Sequence, residues 1–246
     1  SSVLQNMYAE GYPPEYMDTQ NEEQILDYAH QLALYRRYSD PRYYKGVEFA
    51  DIIESLARRR CAEVFCPDFM KPEELFVNIQ ALSGAPANNA VYSALITPGN
   101  TIMGMDLFHG GHLSHGSPVN RSGKLYNAVH YSVDPETEKL DYEKIMEQAV
   151  AQQPKIIICG YSSYPWIPDW QMFRKIADAV GAYMFADISH IAGLIAAKVL
   201  PSPVGIADVI TFTTHKTLCG PRGACIITKD ASLAKKINKA VFPGEQ

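Results

Sequence analysis

Apolar, β-rich runs recur at 101–105, 128–133, 155–159, 183–187, 209–213 and 224–228, and stretches of helical periodicity lie between them. A chain patterned this way alternates strands with helices. Alternation predicts an α/β fold built on a mostly parallel sheet with helices on both faces. Helices are predicted over 22–37, 49–65, 142–152 and 170–180, with another after the turn at Ser83-Gly84. In the first, Thr19 and Glu22 stand at capping-box spacing, and Ile25, Leu26, Ala29, Leu32 and Ala33 form an apolar stripe. With 246 residues the chain is long enough for one large domain with a sizeable core. Ligands on such sheets bind beyond the carboxyl ends of the strands. The residues that end each run are therefore the ones to read for chemistry.

The run at 209–213 leads through Thr213-Thr-His-Lys216 into Gly220-Pro-Arg-Gly223. A lysine at the mouth of a buried strand is either a snorkelling strand end or a group put to use. Desolvation and cationic neighbours lower the proton affinity of such a lysine and make it a nucleophile able to form a Schiff base. The run at 183–187 ends in Asp187, followed by Ser189 and His190. Taken alone, Asp187 also reads as a helix N-cap and His190 as a structural histidine. Upstream, Leu82-Ser-Gly-Ala-Pro86 opens an apolar helix. Its free N–H groups and positive dipole end suit a phosphate, and the Ser83 hydroxyl adds a donor. An ordinary helix start has the same pattern. Together the three features match the needs of a pyridoxal 5′-phosphate (PLP) site, namely a Schiff-base lysine and a carboxylate that keeps the pyridine nitrogen protonated.

Composition narrows the field. Hydrophobic residues make up 47% of the chain and charged residues 20%, as in ordinary globular proteins. A net charge of −5 gives no electrostatic case for nucleic acid. No run is apolar for long enough to span a membrane, and no signal segment opens the sequence. The cysteines Cys61, Cys66, Cys159, Cys219 and Cys225 are scattered and odd in number, which suits reduced cytoplasmic thiols better than a disulfide framework. His109, His112 and His115 invite a metal reading. The glycines between them argue for a loop, and no nearby cysteine or carboxylate completes a zinc set, so no metal site is expected.

The motifs, in order, are Tyr8-Ala-Glu-Gly-Tyr-Pro13, Arg42-Tyr-Tyr-Lys-Gly46, His109-Gly-Gly-His-Leu-Ser-His-Gly-Ser-Pro118, Asp187-Ile-Ser-His-Ile-Ala-Gly193, Thr213-Thr-His-Lys-Thr-Leu218 with Gly220-Pro-Arg-Gly223, and Val241-Phe-Pro-Gly244. This set resembles the serine (glycine) hydroxymethyltransferase family, from one end of the chain to the other. The resemblance implies the PLP-binding large domain of an aspartate-aminotransferase-like, fold type I enzyme. It implies reversible transfer of the serine hydroxymethyl carbon to tetrahydrofolate, giving glycine.

The resemblance also assigns residues. Lys216 carries PLP as a Schiff base, Asp187 pairs with the pyridinium nitrogen and His112 stacks on the ring. Ser83, Gly84 and Ala85 hold the phosphate, with His215 nearby. Ser162 and His190 touch the region of the ring hydroxyl. Thr213 lies near the lysine, and Arg222 orients the site. Glu10 is the acid/base carboxylate, and Tyr8 and Tyr44 line the substrate site. Tyr43, Leu107, Gly111 and Leu113 hold the folate. Tyr8, Glu10 and Tyr44 are expected to reach across a dimer interface, in a homodimer or a dimer of dimers.

Departures from the family pattern are also visible. A segment at about 14–41, bracketed by Pro13-Pro14 and Asp40-Pro41, separates motifs that most relatives join closely. Residues 1–48 thus read as an N-terminal active-site segment carrying an inserted helix, and 49–246 as the large domain. Ala85 stands where many relatives have a second serine. The chain opens at Ser1-Ser-Val-Leu4 and stops at Phe242-Pro-Gly-Glu-Gln246. A glycine pair, the small C-terminal domain with its substrate-binding arginine, and an N-terminal arm are expected beyond these ends. Two other readings stand beside the main one: a threonine aldolase-like PLP lyase that needs no folate residues, and an inactive piece, or one half of a split enzyme, acting as an assembly partner.

Overall fold

Ile156, Ile157, Ile158 and Cys159 are all buried, as expected of a strand covered on both faces. Successive side chains point to opposite sides. Ile156 and Ile158 join one apolar layer with Phe185 and Val209, and Ile157 and Cys159 join the other with Met184, Ala186, Ile210 and Phe212. The computed structural model describes residues 8–38 and 41–245. Asp40 of the Asp40-Pro41 pair, the opening Ser1-Ser-Val-Leu4 and Gln246 lie outside the described residues.

The sheet has seven strands: β1 (Phe76–Asn78), β2 (Thr101–Met105), β3 (Asn127–Tyr131), β4 (Ile156–Cys159), β5 (Tyr183–Asp187), β6 (Val209–Thr213) and β7 (Ala224–Thr228), in the order β1-β7-β6-β5-β4-β2-β3. β3, β2, β4, β5 and β6 run parallel. β7 pairs antiparallel with both β6 and β1. The mostly parallel sheet expected from the alternation is present. Its antiparallel edge follows from the short Gly-Pro-Arg-Gly return between β6 and β7, which leaves no room for a crossover helix.

The helices are α1 (Glu22–Leu26), α2 (Tyr28–Tyr38), α3 (Glu48–Phe65), α4 (Gly84–Leu95), α5 (Arg121–Leu125), α6 (Tyr142–Gln152), α7 (Trp170–Val180), α8 (Ala192–Ala196) and α9 (Ala231–Val241). Phe65 of α3, Ile145 of α6, Phe173 of α7 and Ile195 of α8 pack on one face of the sheet. Val91 and Tyr92 of α4 and Leu233 and Ile237 of α9 pack on the other. Asp141, Asp169 and Asp230 cap α6, α7 and α9 by accepting backbone N–H bonds.

The expected single helix over 22–37 is instead broken at Asp27. Its cap is Asn21, not Thr19: Asn21 and Gln24 exchange side-chain to backbone bonds as a complete capping box. Of the apolar stripe only Ile25 is buried, with Met17 and Ile52 against α3. Leu26, Ala29 and Ala33 stay exposed. β1, α5, α8 and α9 were not anticipated. The first three are short, and the polar lysines of α9 hide a stripe of Leu233, Ala234, Ile237 and Val241.

Candidate active site

β4, β5 and β6 end side by side, and the start of α4 closes over their carboxyl ends. A cavity of about 220 Å³ lies there, with Ser83, His112, Asp187, His190, Thr213 and Lys216 in its wall. Gly84, Ala85, His115, Ser162, Ser189 and His215 also face it. Gly160, after β4, is required by close approach: a Cβ there would stand 2.1 Å from the Asp187 carbonyl oxygen.

Asp187 sits at the bottom, buried, inside a ring of donors. Ser189 donates to Oδ1 through its hydroxyl at 2.5 Å and its N–H at 3.1 Å. Asn88 Nδ2 donates to Oδ2 at 2.8 Å, and His115 Nε2 lies 3.0 Å from the same oxygen. Burial alone pushes this carboxyl up. The His115 hydrogen bond and charge, with those from Ser189 and Asn88, outweigh burial and hold it well below the usual carboxylate range. Asp187 therefore remains an anion throughout the neutral range.

Lys216 is half-buried in the loop between β6 and β7. Its Nζ donates to His190 Nε2 at 3.0 Å, since an ammonium has no lone pair to accept with. Burial lowers its proton affinity, and the Asp187 charge partly restores it. His190 is lowered by burial and then by the Lys216 charge. The loop is braced by Thr214 N–H on Gly223 O at 3.1 Å and Gly220 N–H on Thr214 O at 2.8 Å. His215 Nδ1 accepts from Gly223 N–H at 3.4 Å.

His112 lies in the loop after β2. Gly110 there takes φ +109°, a left-handed conformation that favours glycine. Its carbonyl accepts from Ser162 N–H at 2.7 Å, which ties this loop to the one after β4. The three histidines share no single helix: His109 and His115 end two separate 3-10 turns, Leu107–His109 and Leu113–His115, and His112 caps the second. His109 is exposed, His112 is half-buried, and His115 is buried against Asp187. Among the described residues no cluster of three potential ligands could hold a metal ion.

A profile of the serine hydroxymethyltransferase family matches residues 33–246. The chain belongs to that family. It is 51% identical over its whole length to serine hydroxymethyltransferases of Cyanothece sp. and Prochlorococcus marinus, and 50% identical to that of Rippkaea orientalis. It spans about half the length of these curated relatives.

Other serine hydroxymethyltransferase motif residues lie apart from the Lys216 cavity. Tyr8 and Glu10 line a separate cavity of about 500 Å³ with Gln80, Leu82, Pro86 and Phe242. Tyr44 is exposed and packs against Tyr8, and Tyr43 packs edge-on against Phe242. This segment is held by Arg42, which is buried. Its guanidinium meets Asp51 at 2.6 Å and Glu54 at 2.7 Å on α3, and it donates to the carbonyls of Ala9 and Gly11. Leu107 and Leu113 are exposed on the histidine loop, Gly111 is buried, and Arg222 is exposed outside the cavity wall.

Asn88, Ser114, Ser189 and the contact of His115 with Asp187 were not assigned from sequence. One signal was available. Asn88 is a polar residue amid Ala87, Ala90 and Val91 on the buried stripe of α4, where a polar side chain persists only if paired.

Proposed function

We propose that this chain is the PLP-binding part of an enzyme that moves the hydroxymethyl carbon of serine to tetrahydrofolate, reversibly, leaving glycine. The observation that carries it is the convergence of Lys216, Asp187, His112 and the start of α4 on one cavity at the strand ends. The residues fit the cofactor. An anchored carboxylate faces an amine with lowered proton affinity, a helix start offers N–H donors, and the buried Thr213 Oγ1 has no partner among the described residues.

Bound PLP supplies an electron sink for charge that develops at the substrate α-carbon. Asp187 holds a proton on the ring nitrogen. The N–H groups at the start of α4 and the Ser83 hydroxyl would hold the phosphate. Ala85 would offer only its backbone N–H, so phosphate binding would be weaker or differently placed than with a second serine. His112, in the cavity wall, would cover one face of the ring. Lys216 is the nucleophile, and His190 takes a hydrogen bond from its amine. Glu10 moves the proton at the substrate hydroxyl or the folate, a service worth roughly 10²–10⁴-fold.

Tyr8 and Glu10 line a cavity other than that of Lys216, which supports a site completed by a second copy, whose Tyr8, Glu10 and Tyr44 face Lys216. The five free thiols fit a reducing, cytoplasmic setting. Among the described residues no helix is long and apolar enough to cross a membrane.

The test is borohydride reduction after PLP addition, followed by peptide mass mapping. The expected result is a pyridoxyl adduct on Lys216. A folded chain with no adduct there would refute the reading. Serine cleavage independent of tetrahydrofolate, in a chain extended to the relatives' length, would favour an aldolase-like lyase instead.

A further inference from the structure

The Asp187 and His112 side chains, to which the proposed function gives opposite parts of one ring, are joined by hydrogen bonds through α4. Asn88 is completely buried. Its Nδ2 donates to Asp187 Oδ2 at 2.8 Å and to Ser114 Oγ at 2.9 Å, and its Oδ1 accepts from Thr211 Oγ1 at 2.8 Å. An ionised carboxylate only accepts, so the Asp187 contact fixes which end of the amide is nitrogen. Both amide protons are thereby committed. Ser114 Oγ must then accept from Asn88, and its own proton is free to donate. The next atom is His112 Nδ1, 2.7 Å away, which also takes the Ser114 N–H at 3.2 Å. One turn further along α4, the Tyr92 hydroxyl donates to the Ser114 carbonyl at 2.7 Å and pins its backbone.

Resting on the cofactor reading above, we propose that Asn88 and Ser114 are positioning residues that fix His112 as one neutral tautomer, with its proton on Nε2, and hold it in register with Asp187. The Ser114 N–H can only donate, so a proton on Nδ1 would face it, and the Ser114 hydroxyl, already accepting from Asn88, turns its own proton to the same nitrogen. The imidazole therefore stays flat, uncharged and unable to rotate about its ring bond without breaking both contacts. The charged and titratable groups around it act in the same direction on balance. Burial and then His115 lower its proton affinity, Asp187 raises it, and Lys216 and His190 lower it, leaving His112 at about 4. The same helix thus presents its first turn to the phosphate and its Asn88–Tyr92 face to the ring-binding side chains.

The test is long-range ¹H–¹⁵N NMR of the histidine rings in the full chain without cofactor, with His112→Gln to assign the signals. A pyridine-like Nδ1 and a protonated Nε2 at pH 6–8 are expected for His112. Ser114→Ala should admit the other tautomer and raise the titration midpoint by roughly one unit, as expected for one lost hydrogen bond. Asn88→Ala should mix the tautomers by freeing the Ser114 hydroxyl. A proton on Nδ1 in the parent, a parent midpoint near 6.5, or a Ser114→Ala spectrum identical to the parent overturns the proposal. The parent spectrum decides even where a variant fails to fold. The borohydride experiment fails independently: labelled Lys216 with the wrong His112 tautomer overturns this inference alone, and the right tautomer with unlabelled Lys216 overturns the cofactor reading alone.

Discussion

Lys216 and Asp187 act on each other's charge across the cavity. Burial disfavours the Lys216 ammonium, and Asp187 supports it. The neutral amine is the nucleophile, so labelling of Lys216 by PLP and borohydride should rise with pH around a midpoint below the ordinary lysine value. Asp187→Asn removes the supporting charge, and the midpoint should fall further, read by peptide mapping between pH 7 and 11. An unchanged midpoint would contradict the coupling. Asp187 also links stability to acid. Its carboxyl is held down in the folded state, so its contribution is present above about pH 4, where it would ionise in the unfolded chain. That contribution is lost as pH falls through the folded value. Asp187→Asn should cost about 2 kcal/mol at neutral pH. Its gap from the parent should narrow in urea melts taken from pH 5 down to 2, whereas a gap that widens on acidification would be the wrong sign.

Among the elements, β4 and β5 approach so closely at their ends that only a hydrogen fits at position 160. Gly160→Ala forces a methyl against the Asp187 carbonyl, and backbone on both sides leaves little slack. The expected loss is about 3 kcal/mol, seen as a lowered thermal midpoint. The segment at 8–13 is an element of another kind, irregular but tethered. Arg42 ties it to α3 through Asp51, Glu54 and the carbonyls of Ala9 and Gly11. Arg42→Ala leaves the buried Asp51 and the partly buried Glu54 without that cation, at a cost of about 3–5 kcal/mol. Limited proteolysis should then cut within 8–13, and resistance equal to the parent's would show that other contacts hold the segment.

Over the whole molecule, the two apolar layers share every central strand. Phe173 belongs to one layer and Phe185 to the other, and both are fully buried. Each alanine substitution should cost about 3–5 kcal/mol. Both should shift one and the same unfolding transition, since neither layer can melt while the strands between them stay paired. Separate transitions in circular dichroism would mean that the layers fold independently.

Most strand limits and some helix limits were legible in the sequence, because apolar periodicity is a local property. β2, β5, β6, β7, α6 and α7 begin and end where the pattern says. Lys216 and Asp187 were legible for the same reason, as polar residues closing apolar runs. The break at Asp27 was not: the Asp27 side chain accepts from His30 N–H and starts a second helix there, a local choice that the apolar stripe does not reveal. Nor was the network around Asp187. Asn88 lies 26 residues from Ser114 and 99 from Asp187, and linear spacing carries no trace of such a pairing. The sequence by itself determined which residues had to be inside and which chemistry stood at the strand ends. Only the tertiary structure decided which buried polar atoms satisfy one another, because a hydrogen bond is set by distance and direction in space.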